Sequence, residues 1–150
     1  MFKLIVFDLD KTLADLGKGM SARNTAKLRR LEKSGARIAI CSGKPTYYLC
    51  GFMRQAGLKA PILIGENGAT IQFGVDLPPS DFYVLTKDER AKHVLKKVYD
   101  DIDATFEGKM WFQPNSVCVT PFPKTQEDFD KIQNYVDKNK DLLSCLKVYR

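Results

Sequence analysis

Two acids stand two residues apart at the end of an apolar run, in Phe7-Asp8-Leu9-Asp10-Lys11-Thr12-Leu13. In extended backbone, residues i and i+2 point the same way, so Asp8 and Asp10 present their carboxylates together. Like charges held together repel, and a cation or phosphoryl chemistry compensates for that repulsion. A carboxylate can attack phosphorus and form an aspartyl-phosphate. A second carboxylic acid nearby can protonate the leaving oxygen and then activate water. Mg²⁺ takes one or two carboxylates and fills its shell with waters and substrate phosphate oxygens. An acidic turn capping a helix would carry the same pair, so the spacing alone leaves both readings open.

Two further clusters repeat the pattern of an apolar run followed by polar residues. In Ile38-Ala39-Ile40-Cys41-Ser42-Gly43-Lys44-Pro45, a hydroxyl at a strand end is followed by the start of a helix. Such a start offers backbone N–H groups and a positive dipole end to an anion, so Ser42, Gly43 and Lys44 are candidate phosphate-binding residues. A plain strand-to-helix turn with a serine cap has the same residues. In Ile64-Gly65-Glu66-Asn67-Gly68-Ala69, Glu66 and Asn67 occupy a turn signal and are candidates for the substrate side of a site. Asn-Gly is also an ordinary hairpin turn. His93 is the only histidine and lies among Lys92, Lys96 and Lys97, so it reads as a solvated side chain. Cys41, Cys50, Cys118 and Cys145 have no C-x-x-C spacing and read as reduced, mostly buried thiols.

The elements that would position these groups follow from the pattern of apolar residues. Lys3–Phe7, Arg37–Cys41 and Ile62–Ile64 are buried strand candidates. Ser21 caps a helix over Ala22–Lys33 that turns Ala26, Leu28 and Leu31 inward and closes at Gly35. Pro45 opens a second helix to about Gln55, with Tyr48, Leu49, Phe52 and Met53 inward, ended by Gly57. Strand, helix, strand, helix and strand in alternation predict a parallel sheet with helices on its faces. Ligands bind such sheets at the carboxyl ends of the strands, and the loops Asp8–Thr12, Ser42–Lys44 and Gly65–Gly68 all leave there. Ala69–Phe73 resumes as a strand, and the composition shifts at Asp76–Ser80, where Pro78-Pro79 breaks regular structure.

Beyond the break, Thr86 and Glu89 predict a capping box for a helix to about Asp103, with Ala91, Leu95, Val98 and Ile102 inward. Ala104–Glu107, Met110–Gln113, Val117–Thr120 and Leu146–Tyr149 are strand candidates. Thr125 caps a helix from Gln126 to about Asn139, with Phe129, Ile132 and Val136 inward. These elements predict a small α+β unit with its own apolar core.

D-x-D-x-T after an N-terminal apolar strand closely resembles the first motif of the haloacid-dehalogenase-like superfamily. Ser42 matches its second motif, and the E-N-G-A turn is similar to that of the Cof-type sugar phosphatases, which carry an α/β cap. The resemblance implies a Rossmann-like α/β core, here its first half, with an inserted α+β cap: residues 1–80 as core and 81–150 as cap. It implies Asp8 as nucleophile, Asp10 as general acid/base, Mg²⁺ held by Asp8 and the Asp10 carbonyl, Thr12 as loop support beside the phosphate site, and Ser42 bonded to the transferring phosphoryl group. The family has glycine where Lys11 stands. After the cap, the family returns to a lysine motif and a strand ending in further Asp residues, whereas this sequence stops at Arg150. The expectation is therefore a chain that is a poor phosphatase alone, with Lys3–Phe7 left at a sheet edge and open to self-association or a completing chain.

Hydrophobic residues make up 44% of the 150, enough for a real core and against disorder. No apolar run approaches the ~20 residues needed to span a bilayer, and none reads as an export signal, so the expectation is a cytoplasmic protein without a membrane partner. The net charge is +6, but the lysines spread along helices with no aromatic-basic strand motif, which argues against nucleic acid and suits a phosphorylated metabolite. The reading is an Mg²⁺-dependent phosphohydrolase acting on a small phosphorylated metabolite, of the sugar-phosphate kind, through an aspartyl-phosphate. A phosphomutase and a non-catalytic domain binding phosphate or a partner are the alternatives. A receiver-like signalling domain would need no long insertion.

Overall fold

The computed structural model describes residues 3–85 and 88–149. The chain divides into two compact units, Met1–Thr86 and Lys87–Arg150.

In the first unit, β1 (Leu4–Phe7), β2 (Arg37–Cys41) and β3 (Ile62–Gly65) run parallel. The helices α1 (Ala22–Lys33) and α2 (Thr46–Ala56) make the crossovers. Parallel neighbours need such crossovers, because a tight turn cannot reverse the chain twice. β4 (Thr70–Phe73) and β5 (Asp81–Val84) then add antiparallel, so among the described residues the sheet order is β1-β2-β3-β4-β5. The fold is α/β with a parallel core, as the sequence predicts. β5 is not foreseen: Phe82-Tyr83-Val84 has the aromatic and β-branched character of a strand, but it follows the Pro78-Pro79 break directly. Its pairing with β4 carries the first unit past residue 80.

Two helix faces differ from expectation. On α1, Leu28 is buried and Leu31 half-buried, but Ala26 is exposed. On α2, Leu49, Cys50, Met53 and Ala56 are buried, while Tyr48 lies outside and stacks on Phe52. The small thiol of Cys50 fits beneath the sheet, where its sulfur donates to the Val75 carbonyl at 3.2 Å. Ile38, Ile40, Leu49, Met53 and Leu63 form the centre of the core.

In the second unit, α3 (Glu89–Thr105) packs Val94, Val98 and Ile102 into a cluster with Leu143, flanked by Ile132 and Val136 of α4 (Gln126–Lys138). Val94 takes the central place expected of Leu95, which is half-buried. Thr86 lies outside the described residues; the cap of α3 is Asp88, whose carboxylate accepts from the backbone N–H groups of Arg90 and Ala91. Thr125 and Asp128 form a reciprocal capping box on α4, but Phe129 is exposed.

The expected strands shrink to a two-stranded ribbon, β6 (Trp111–Phe112) against β7 (Pro121–Phe122). Ala104–Glu107 is instead the end of α3 and a turn, because Ile102 and Phe106 stay in helical phase on the same cluster. Val117–Thr120 is loop. There one backbone bond, from the Gln113 N–H to the Thr120 carbonyl at 3.0 Å, continues the pairing, while the Gln113 side chain donates to Asn115 and Asn115 donates to the Thr120 hydroxyl. Leu142–Cys145 forms a 3-10 turn, and Leu146–Tyr149 is not a strand.

Candidate active site

The parallel register sets the first pair of loops. Phe7 lies level with Ile40 on neighbouring strands that run the same way. Asp8 and Asp10 therefore leave β1 at the edge where Ser42 leaves β2, and Glu66 and Asn67 leave β3 there too.

Leu9 anchors the first loop. Its side chain is buried between the two acids, and its carbonyl accepts from the N–H groups of Thr12, Leu13 and Ala14. Alternation then leaves Asp8 exposed and Asp10 half-buried. The Thr12 hydroxyl donates to the Asp8 carboxylate at 3.4 Å, which supports the nucleophile candidate. Asn24, in the first turns of α1, donates to the Leu13 carbonyl at 3.0 Å and ties down the far end of the loop. Lys11 sits in the left-handed region at φ 63°. That conformation explains why glycine suits this position, since a side chain there costs about 1–2 kcal/mol.

The second loop brings a cation. Ser42 is buried, and its hydroxyl oxygen accepts from the Lys44 backbone N–H at 3.2 Å, which leaves the hydroxyl proton to donate elsewhere. The Lys44 ammonium lies 3.9 Å from an Asp10 carboxylate oxygen, with both side chains partly exposed. Such a pair contributes less than about 1 kcal/mol to stability, so its interest is the charge it places beside two carboxylates. α2 follows, and Pro45 gives it no side-chain cap.

The third loop is locked onto the second. The Glu66 N–H donates to the Lys44 carbonyl at 3.0 Å, and the Asn67 N–H donates to the Ser42 carbonyl at 3.1 Å. Glu66, Asn67 and Gly68 have φ of 52°, 57° and 98°, a run of left-handed residues. Gly65 allows the approach: a Cβ there would stand 2.7 Å from the Thr46 nitrogen and 2.9 Å from the Lys44 carbonyl oxygen. Glu66 is buried, a residue type almost never buried without partners. The sequence points to Gly65 through the turn signal but carries no mark of Asn24 as a tether.

A model of the haloacid dehalogenase-like hydrolases matches residues 5–147. The chain belongs to that family. No curated protein matches the sequence. Solved structures share the fold: a haloacid dehalogenase-like hydrolase from Bacteroides thetaiotaomicron is 27% identical over 71% of this chain and 39% of its own, with a TM-score of 0.54. One from B. subtilis is 22% identical over 74% of this chain and 35% of its own, with a TM-score of 0.53. The C-terminal domain of C. albicans trehalose-6-phosphate phosphatase is 20% identical over 93% of this chain and 51% of its own, with a TM-score of 0.68. The chain thus spans little more than a third of the first two and half of the third.

The family implies magnesium. Among the described residues no group of three or more His, Cys, Asp or Glu side chains gathers as a ready cation cage. Asp8 and Asp10 are two hard oxygen donors on one loop, the donor set that Mg²⁺ accepts when waters and phosphate oxygens complete its octahedron. The residues therefore fit the ion. Among the described residues, no helix is long and apolar enough to cross a membrane.

Proposed function

We propose that the chain is the nucleophile-bearing part of an Mg²⁺-dependent phosphohydrolase for a small phosphorylated metabolite, of the sugar-phosphate class. The observation that carries this reading is the convergence of Asp8, Asp10, Ser42 and Lys44 at one edge of the sheet, with Lys44 3.9 Å from Asp10. The Asp8 carboxylate attacks phosphorus, and the bond to the ester oxygen breaks. Asp10, as the acid, gives its proton to that oxygen. It then takes a proton from water, which cleaves the aspartyl-phosphate to inorganic phosphate and restores Asp8. Ser42 donates to a phosphoryl oxygen. Lys44 offsets charge on the transferring group and orients Asp10. Magnesium at Asp8 and Asp10 would supply further charge neutralisation at the phosphoryl oxygens. The second unit is the cap, and the reaction takes place in the cytoplasm.

The outer strand also supports a partner. Among the described residues β1 has one neighbour, β2, and Leu4 and Val6 are 49% and 54% exposed. An apolar edge without proline or bulge pairs readily with another strand, supplied by a second copy or a completing chain. Sedimentation across a concentration series tests this: a monomer at all concentrations speaks against self-association.

The test of the activity is a panel of sugar phosphates with magnesium chloride and product analysis. Free phosphate, lost in Asp8→Asn, supports hydrolysis. An isomeric sugar phosphate identifies a mutase. Binding without either product identifies a phosphate-binding domain.

A further inference from the structure

The turn after β3 keeps side chains where glycine would relax the backbone. Asn67 holds φ 57° between Glu66 and Gly68, themselves left-handed. Its N–H is fixed to the Ser42 carbonyl, and the Glu66 N–H to the Lys44 carbonyl, so the turn is registered on the Ser42–Lys44 loop residue by residue. The Asn67 carboxamide consequently lies over Gly43. A Cβ built on Gly43 would meet Asn67 Oδ1 at 3.3 Å and Nδ2 at 3.7 Å. A side chain at position 43 would press on this carboxamide by a few tenths of an ångström, so Gly43 gives it room between Ser42 and Lys44.

We propose that Asn67 is an anion-binding residue of the phosphate site, its Nδ2 donating to a phosphoryl oxygen beside the Ser42 hydroxyl. The inference rests on the reading of Ser42–Lys44 as that site. A carboxamide supplies a neutral donor to a phosphoryl oxygen. The ligand class is a tetrahedral phosphoryl group, either on the ester or as the released inorganic phosphate. Asparagine also tolerates left-handed backbone better than most residues, so a purely conformational role must be separated from a binding one.

Glycine at this position makes the separation, because it keeps the φ and removes the carboxamide. Titration calorimetry with inorganic phosphate and magnesium chloride, together with thermal unfolding, is the measurement, on the 150-residue chain and on Asn67→Gly, Asn67→Asp and Ser42→Ala. The expected result is a thermal midpoint for Asn67→Gly no lower than that of the parent and phosphate affinity about tenfold or more weaker, the value of one hydrogen bond to a charged group. Asn67→Asp should bind more weakly still, since it sets a carboxylate against the anion. Parent-like affinity in Asn67→Gly overturns the inference. If Ser42→Ala loses affinity in the same series, the phosphate-site reading stands without Asn67. A parent chain that binds no phosphate overturns both. Should Asn67→Gly fail to fold, Asn67→Asp decides: retained affinity there is equally contrary.

Discussion

At the centre of the first unit's core, Ile38, Ile40, Leu49, Met53 and Leu63 are 0–1% exposed, whereas the second centres on Val94, Val98, Ile102 and Leu143 at 3–9%. α4 fully buries none of its residues. Its stability leans on a capping box and on pairs such as Lys131 with Glu127, each worth a few tenths of a kcal/mol. Strain is distributed the other way. Lys11, Glu66 and Asn67 all take left-handed backbone in the first unit, at the carboxyl edge of the parallel strands. Residues held in costly conformations persist only where the surroundings over-determine them. The dense sheet is what allows three strained residues, in two loops, to be held at one edge. The second unit has Glu107 as its left-handed non-glycine residue among those described, in a turn after α3.

The sharpest test of that contrast is a pair of truncations. Leu49→Ala should destabilise the first unit by about 3 kcal/mol, the range for a fully buried leucine that leaves a cavity. Ile132→Ala, at a half-buried position, should cost about 1 kcal/mol, because its neighbours can partly close the gap. Chemical denaturation with probes in each unit reads both. Equal losses would erase the distinction between the two cores.

A smaller effect belongs to the polar link between α3 and α4. The Tyr135 hydroxyl donates to Asp101 at 2.7 Å, and Lys97 pairs with the same carboxylate at 3.0 Å. The Tyr135 bond first, and Lys97 after it, hold the Asp101 carboxyl below its usual value. Burial first, and Asp101 after it, push the Tyr135 phenol upward. A depressed carboxylate stabilises the fold above its unfolded pKa of about 4 and loses that contribution as pH falls through the folded value. A raised phenol stabilises below about pH 10 and loses its contribution as pH rises beyond. Tyr135→Phe should therefore cost about 1 kcal/mol at neutral pH, with the gap to the parent narrowing below about pH 4. A gap that stays constant from neutral to strongly acidic pH would show that the link acts by packing alone.

The smallest effect should be a gain. Lys11→Gly removes a left-handed side chain and should raise stability by up to about 1 kcal/mol, less the extra entropy of glycine in the unfolded chain. Lower stability would mean that the lysine side chain does more for the loop than its backbone angle suggests.

The same contrast explains what could be read in advance. In the first unit, β1, β2, α1 and α2 are legible within a residue or so, because the parallel strands are apolar in sequence and each helix has its stop signal, Gly35 and Gly57; burial is not, since β1 reads as a buried strand but lies at the edge of the described sheet with Leu4 and Val6 exposed. The placement of Asp8, Ser42 and Asn67 at one edge follows from that alternation. What the pattern could not carry is tertiary: the tether from Asn24, the Lys44–Asp10 approach and the strand after Pro79. In the second unit, helix existence is legible, but ribbon strands of two residues are too short for any period to show. The loop of Gln113, Asn115 and Thr120 mimics a strand in composition, but side-chain bonds accompany its one backbone bond across.

The central claim is that Asp8 takes the phosphoryl group, and it can be tested without turnover. Acetyl phosphate has a leaving group that needs no acid, so Asp10→Asn should still be phosphorylated by it, while lacking the base that hydrolyses the product. Acid quenching of that variant with magnesium present, followed by intact mass measurement and peptide mapping, is the measurement. The prediction is one added phosphoryl group on Asp8, released by hydroxylamine and absent when Asp8→Asn is combined with it. An unmodified chain, or a phosphoryl group on Ser42 or any other residue, would contradict the account.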